Sequence, residues 1–282
     1  MPLPSSPDLF RLPPIADDVA GPVVVINKSH SGSRLLAGML IAQGVYMGTG
    51  LNESLDAEYL FPLVEYLVCE YYPGYSALWQ AERDVVLEDL LQYGFDALLK
   101  DMPARQSAWG WKLGETTYVL PVIQALFPDV RVIHIIRDGR DVAFSDHVAP
   151  HNAFWKKVYF NSYDISRWRG RRLNWRAYRR ASHLYNAQHW VNSVTVGRAY
   201  GSMLGGRYCE VRYEDLCRDY VKVSEALLRW LGRDVDRAVL QQQAEGIHTR
   251  GIGGFHAQPW YKRRQVLIVA GPLLESMGYK EG

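Results

Sequence analysis

The chain has 282 residues, of which 48% are hydrophobic and 22% are charged, ordinary values for a globular protein that exclude a disordered or low-complexity chain. Its 32 Lys and Arg residues outnumber its 30 Asp and Glu residues by only two, so net charge gives no support to a nucleic-acid-binding function. Its three cysteines lack any close metal-type spacing, which argues against a disulfide framework and a structural zinc site.

Five of the 14 prolines fall between Pro2 and Pro14, so residues 1–20 are predicted to form an extended N-terminal arm. No Pro/Gly-rich linker divides the rest, and residues 21–282 are predicted to be a single domain. The sequence contains neither a basic and apolar leader nor 18 consecutive apolar residues. A cytoplasmic protein without a membrane span is therefore expected.

Short apolar runs alternate with helical patterns along the chain. Residues 23–26 and 132–136 are apolar, β-branched runs typical of buried strands, and residues 109–112 and 208–212 are further strand candidates. This alternation predicts an α/β fold with a central parallel sheet flanked by helices, which binds ligands at the carboxyl ends of its strands. The predicted helices include residues 35–40, residues 116–127 with an internal Pro121, a helix that follows the turn Arg137-Asp138-Gly139 and runs through Ser145, and residues 220–231.

The loop after the first strand has the residue types of an anion-binding cradle. It reads Lys28-Ser29-His30-Ser31-Gly32-Ser33-Arg34 and leads directly into a helix. Small residues let successive backbone N–H groups face one concavity, and the helix N-terminus adds partial positive charge. The alternative is a Ser-rich loop that only caps the helix. The spacing of a Walker A loop is missing, which argues against ATP or GTP hydrolysis.

A second loop follows the strand at 132–136, where Arg137 precedes Ser145 by eight residues. In a parallel sheet both side chains are expected to reach one phosphate group near the first loop, with the Arg donating paired, charge-assisted hydrogen bonds. Taken alone, the segment Arg137-Asp138-Gly139-Arg140-Asp141 is also typical of a turn with capping carboxylates.

The two segments INKSHSGSRLLAGML and VRVIHIIRDGRDVAFS together resemble the nucleotide-binding segments of sulfotransferases that use 3′-phosphoadenosine-5′-phosphosulfate (PAPS). The resemblance implies a P-loop-like sulfotransferase fold in which Ser31, Gly32 and Ser33 bind the 5′-phosphosulfate. It also implies that Arg137 and Ser145 bind the 3′-phosphate. The Arg-Asp-Gly-Arg form resembles the bacterial and tyrosylprotein branch more than the phenol and steroid branch.

Further matches extend the resemblance along the chain. Tyr213 begins a Tyr-Glu-Asp-Leu segment after a late strand, and Lys112 resembles a Lys beside the reacting group. Arg250 and Gly251 resemble a C-terminal loop that closes over the 3′-phosphate, although the Lys of that loop is missing here.

The first loop departs from the family pattern at its cations. His30 occupies the position of a Lys or Arg, and Arg34 occupies the position of a Thr. Lys28 stands two residues early, so either Lys28 or His30 is expected to contact the leaving group.

The reaction requires a group that removes the acceptor's proton. In one branch of the sulfotransferase family a Glu about twenty residues after the first loop is the base, and resemblance to that branch points to Glu53. The other candidate is Glu115, which lies three residues after Lys112. We favour Glu53 and keep Glu115 as the alternative. The other interpretation of either residue is a helix-start carboxylate or a surface ion pair. No metal-ligand cluster is evident, and no metal is expected.

The segment Arg167–Arg180 contains seven arginines with interleaved Trp168, Trp175 and Tyr178. It is interpreted as a solvated helix face, as a surface for an anionic or sugar-like acceptor, or, least in keeping with the net charge, as a nucleic-acid contact. Near it, His147, His151, Phe154, Trp155 and Tyr159 are interpreted as an acceptor pocket or as packing.

The resemblance thus implies a transferase that moves a sulfuryl group from PAPS to a hydroxyl, or an amine, of a small molecule, sugar or peptide. A phosphotransferase of the same architecture and a non-catalytic nucleotide-binding protein are the competing hypotheses.

Overall fold

The computed structural model describes residues 20–80, 84–103, 108–145, 154, 158 and 182–279. In these residues four short strands form one sheet in the order β2-β1-β3-β4, and all three pairings are parallel. The predicted α/β fold with a central parallel sheet is confirmed, and each strand matches its predicted position to within one residue. The strands are β1 (Val23–Asn27), β2 (Gly110–Lys112), β3 (Arg131–Ile136) and β4 (Tyr208–Arg212).

Helices pack on both faces of the sheet because its central strands are apolar on both sides. Val24 and Ile26 of β1 point into one core, whereas Val23 and Val25 point into another. The helices of the described residues are α1 (Ser33–Ala42), α2 (Phe61–Tyr71), α3 (Ser76–Gln80), α4 (Val85–Leu99), α5 (Leu120–Leu126), α6 (Gly139–Ala143), α7 (Ser182–Ser202), α8 (Tyr213–Arg218), α9 (Tyr220–Trp230), α10 (Arg237–Ala244) and α11 (Trp260–Ser276), with 3₁₀ turns at Glu58–Leu60, Gly114–Val119, Gly205–Arg207 and Gly254–Ala257.

Two predicted helices differ from the structure. In place of one helix over residues 116–127, the structure has a 3₁₀ turn, Gly114–Val119, followed by α5. Pro121 therefore lies in the first turn of α5, where a backbone N–H has no partner within the helix and can be missing without loss. The prediction that a helix runs through Ser145 is wrong, because α6 ends at Ala143. There the amide of Asn186 donates to the carbonyl oxygens of Ala143 and Ser145, at 3.3 and 3.1 Å, in place of a further helical turn.

The sequence analysis missed α7, the longest helix of the described residues, because its buried face carries polar residues. His183, Asn186, His189 and Ser193 are all buried along it, so the apolar periodicity is weak. Its Trp190 is fully buried, and the indole Nε1 donates to the carbonyl oxygen of Arg137 at 2.9 Å. The helix therefore fixes the backbone at the end of β3.

His134 of β3 is a core residue, as predicted for a His between two Ile residues. It is fully buried, with Nδ1 2.7 Å from the hydroxyl of Tyr208, and burial lowers its pKa to about 3. Most of the predicted arm (1–20), the segment Arg167–Arg180 and His147, His151, Trp155 and Tyr159 lie outside the described residues. Of the helices described, none is both long and apolar enough to span a membrane.

Candidate active site

A cavity of about 890 Å³ opens at the carboxyl ends of β1, β2 and β3. This is the edge where the sequence predicts ligand binding, because loops after parallel strands meet there. Most predicted site residues of the first loop line the cavity, together with carboxylates that the sequence analysis did not consider. Its wall consists of Asn27, Ser29, His30, Gly32, Ser33, Arg34, Ser54, Asp56, Glu58, Phe61, Pro62, Lys112, Leu113, Gly114, Glu115 and Arg137.

The first loop makes a tight turn into α1. Its Ser31 N–H donates to the carbonyl oxygen of Lys28 at 3.1 Å, and His30 and Gly32 have φ values of 68° and 83°. The Ser31 side chain is 1% exposed, and its hydroxyl has no partner in the described structure. Gly32 is required because a Cβ there would lie 2.1 Å from a ring carbon of Tyr213. The loop thus leads into the N-terminus of α1 with a buried hydroxyl that has no partner among the described residues, although Ser31 itself is not part of the cavity wall.

The cations of this loop occupy different depths. Lys28 is 1% exposed and does not line the cavity, and its Nζ donates to the carbonyl oxygen of Ser29 at 3.2 Å. Burial lowers the pKa of Lys28 to about 7, against the opposing effect of the Glu115 carboxylate. His30 and Arg34 are exposed and line the cavity.

Arg137 joins three loops at the other end of the cavity. Its guanidinium donates to the carbonyl oxygen of His30, at 3.0 Å, and to that of Gly251. The same guanidinium lies over the ring of Tyr213, 5.1 Å from the centroid, and its Nε is buried without a partner in the described structure. The predicted residues Arg137, Tyr213 and Gly251 are therefore together in space, although 114 residues separate the first from the last.

Two other residues predicted to contact the 3′-phosphate, Ser145 and Arg250, lie outside the cavity wall. The Ser145 hydroxyl donates to the carbonyl oxygen of Val142 at 2.7 Å, and Ser145 is not part of the cavity wall. Arg250 is exposed next to Gly251. Arg250 and Gly251 are the central residues of a turn in which the N–H of Ile252 donates to the carbonyl oxygen of Thr249 at 2.9 Å.

At the β2 end of the cavity, Lys112 is held by a loop that the sequence analysis missed. Its Nζ lies 2.8 Å from Asp56 Oδ1 and donates to the carbonyl oxygen of Ser54 at 2.6 Å. The side chain of Asn52 shapes that loop, because its Oδ1 accepts from the N–H groups of Ser54 and Asp56 at 2.8 and 2.9 Å. An Asn that bonds the backbone two residues later is a turn signal that could have identified this loop.

The two candidate bases differ sharply in their surroundings. Glu115 lines the cavity, and burial raises its pKa to about 7; the charge of Asp56 adds to this rise, and Lys112 and Lys28 oppose it. Glu53 is exposed and is not part of the cavity wall. The geometry therefore favours Glu115, the alternative of the sequence analysis.

Sequence comparison decides the family: the profile described as the sulfotransferase family matches residues 22–237, well over half of the chain. The chain belongs to the sulfotransferase family. Among curated proteins, none matches it.

Solved sulfotransferase structures have the same fold. The sulfotransferase domain from the curacin biosynthetic pathway is 16% identical, with a TM-score of 0.53 over 94% of this chain and 100% of that domain. The sulfotransferase domain of the olefin synthase of Synechococcus PCC 7002 is 18% identical, with a TM-score of 0.52 over 96% of this chain and 100% of that domain. Mouse SULT7A1, solved in complex with PAP, is 13% identical, with a TM-score of 0.51 over 92% of this chain and 85% of that one. At these identities the sulfotransferase structures support the fold, and the branch of the family stays a prediction.

Proposed function

We propose that this sulfotransferase moves a sulfuryl group from PAPS to a hydroxyl, or an amine, of an acceptor by in-line displacement. The observation that carries the proposal is the meeting of the first loop, Arg137 and Gly251 around one end of a cavity that continues to Lys112 and Glu115. A donor with anionic groups at both ends of an adenosine fits a cavity with cations at both ends.

Buried polar groups of the site fit an anionic ligand. Among the described residues, the Ser31 hydroxyl and Arg137 Nε are buried without partners, and buried Lys28 donates to one carbonyl oxygen, that of Ser29. Such groups cost free energy unless a ligand satisfies them, and each can donate a hydrogen bond to phosphate or sulfate oxygens. At Gly32 the ring of Tyr213 fills the space that a Cβ would need, so this position of the loop carries no side chain.

The strand order sets the direction of the donor. Because β1 lies between β2 and β3, the first loop is flanked by Arg137 on one side and by Lys112 on the other. With the 3′-phosphate at Arg137, the 5′-phosphosulfate lies at the first loop and its sulfuryl group faces Lys112 and Glu115. The acceptor then enters from the β2 side.

The side chains at the β2 end supply the chemistry. The acceptor oxygen forms a bond to sulfur while the bond from sulfur to the 5′-phosphate oxygen breaks, which leaves the sulfate ester and 3′,5′-adenosine bisphosphate (PAP). Glu115 takes the acceptor's proton, since a base with a pKa near the working pH is both ionised and basic enough. Lys112 and His30 donate to the oxygens on which charge accumulates.

The described wall of the acceptor end is acidic and partly apolar. Asp56, Glu58, Phe61 and Pro62 lie there, and Lys112, the only cation of that part of the described wall, is paired with Asp56. This wall favours a neutral or cationic acceptor over a strongly anionic one. At low salt, we expect an amino alcohol to have a lower KM as acceptor than the matching hydroxy acid. A lower KM for the hydroxy acid would contradict this expectation.

Calorimetry and turnover test the donor. PAP should bind at least tenfold more tightly than 5′-AMP, ATP or GTP, since only PAP carries the 3′-phosphate, and PAPS should support sulfation of an acceptor panel. Equal affinity for PAP and ATP would instead favour a phosphotransferase. Tight PAP binding without sulfation of any member of a broad panel would favour a non-catalytic nucleotide-binding protein.

A further inference from the structure

A buried carboxylate lies behind the Arg137 end of the cavity without touching it. Asp141, in α6, is 7% exposed and is not part of the cavity wall. Its two oxygens accept backbone hydrogen bonds from a distant segment: Oδ2 from the N–H of Gly253 at 2.8 Å and Oδ1 from the N–H of Phe255 at 2.9 Å. Among the described residues, no cation forms an ion pair with Asp141.

The segment that Asp141 holds is the one that meets Arg137. Residues 249–253 form a turn whose exposed end carries Arg250 and Gly251, and the carbonyl oxygen of Gly251 accepts from Arg137. The base of the turn is fixed twice, by the two bonds to Asp141 and by Phe255, which is 5% exposed and packs against Ala143 and Val266. Thr249, Arg250, Gly251 and Gly253 are exposed and Ile252 is only half-buried, so the bonds to Asp141 are the main restraint on where Gly251 lies.

Asp141 and Arg137 share one rigid piece of backbone. They are four residues apart at the end of β3 and in α6, and Asp138 between them caps α6 by accepting from the N–H of Arg140 at 2.9 Å. A shift of the 249–253 turn relative to Asp141 is therefore also a shift relative to Arg137.

We propose that Asp141 is a positioning residue that holds residues 249–253 against Arg137 and so completes the 3′-phosphate end of the donor site. This inference rests on the proposed function. A carboxylate suits the role because it only accepts, whereas an Asn amide would direct one N–H group at a backbone N–H. Charge-assisted bonds to backbone N–H groups are also stronger than neutral ones.

The test compares PAP with 5′-AMP, which differ only in the 3′-phosphate. In Asp141→Asn the affinity for PAP should fall about tenfold or more, while the affinity for 5′-AMP changes less than twofold, so the preference for PAP is largely lost. If Asp141 had only a structural role, its substitution would lower the affinity for both nucleotides by the same factor. The matched control is Asp236→Asn, which removes a carboxylate that caps α10 by accepting from Val239 N–H at 3.1 Å and is not part of the cavity wall. It should keep the wild-type preference.

The outcomes separate the two proposals. If wild-type protein prefers PAP and folded Asp141→Asn keeps that preference, the positioning role is overturned and the donor assignment stands. If wild-type protein binds both nucleotides equally, the proposed function itself fails. Should Asp141→Asn not fold, amide hydrogen exchange on wild-type protein decides: PAP, but not 5′-AMP, should slow exchange at Gly253 and Phe255, and no difference between the nucleotides would overturn the inference.

Discussion

The two ends of the cavity satisfy their charges in opposite ways. At the Arg137 end, the guanidinium is already bonded to the carbonyl oxygens of His30 and Gly251 and stacked on Tyr213. At the β2 end, burial raises the pKa of Glu115 to about 7, beside the ion pair of Lys112 with Asp56. The first arrangement holds loops in a fixed place, which suits recognition, whereas the second leaves a carboxylate ready to exchange a proton, which suits the chemical step.

The largest effect on activity should come from a substitution at the β2 end. Glu115→Gln keeps the shape of the side chain and removes the base, so kcat should fall about 10²- to 10⁴-fold with little change in the dissociation constant of PAP. Turnover at saturating PAPS and calorimetry with PAP measure the two quantities. The rival variant is Glu53→Gln, which should stay within about threefold of wild type because Glu53 is exposed and outside the cavity wall. If Glu53→Gln abolished turnover and Glu115→Gln did not, the original preference for Glu53 would be restored.

A substitution at the Arg137 end should mainly weaken PAP binding and have less effect on turnover at saturating PAPS. Arg137→Met removes the guanidinium with its charge-assisted hydrogen bonds, each worth about 1.5–3 kcal/mol, so PAP affinity should fall about 100-fold. Arg137→Lys keeps the charge but not the planar fork, and should recover only part of the loss. Calorimetry with PAP and 5′-AMP is the measurement. A loss of kcat with unchanged PAP affinity would show that Arg137 does not bind the donor.

The point where the two ends meet, Gly32, is tested through stability. Gly32→Ala places a Cβ 2.1 Å from the Tyr213 ring at a φ of 83°, whereas Gly50→Ala has a φ of 65° and no atom within 4 Å of the new Cβ. Both variants incur the left-handed backbone cost of about 1–2 kcal/mol, and Gly32→Ala should lose at least about 1 kcal/mol more. Urea unfolding of both variants measures the difference. Equal losses would mean that the ring moves aside freely and that the loop is not fixed by Tyr213.

The two ends of the cavity also differ in how much of them the sequence could predict. The apolar runs of β1 and β3 identify strands locally, and the loops after neighbouring parallel strands meet at one edge, so the sequence could predict that the first loop lies beside Arg137. The contact of Asp56 with Lys112 joins residues 56 positions apart through a turn shaped by Asn52, and no local pattern reports it. The buried polar face of α7 likewise hides a core helix, because its His and Asn residues are satisfied only by tertiary contacts.

The pH dependence of turnover separates the two ends without any mutation. Because the pKa of Glu115 is raised to about 7, the ionised base is depleted below that pH, and kcat should fall about tenfold for each pH unit below 7. Binding of the donor at the Arg137 end does not require ionised Glu115, so the affinity for PAP should not fall in parallel with kcat below pH 7. Turnover at saturating PAPS and calorimetry with PAP on both sides of that pH measure the two profiles. Glu115→Gln should flatten the acidic limb of whatever activity is left. An acidic limb near pH 4.5, or one that persists in Glu115→Gln, would assign the proton acceptor to another group and remove the chemical role given to the β2 end.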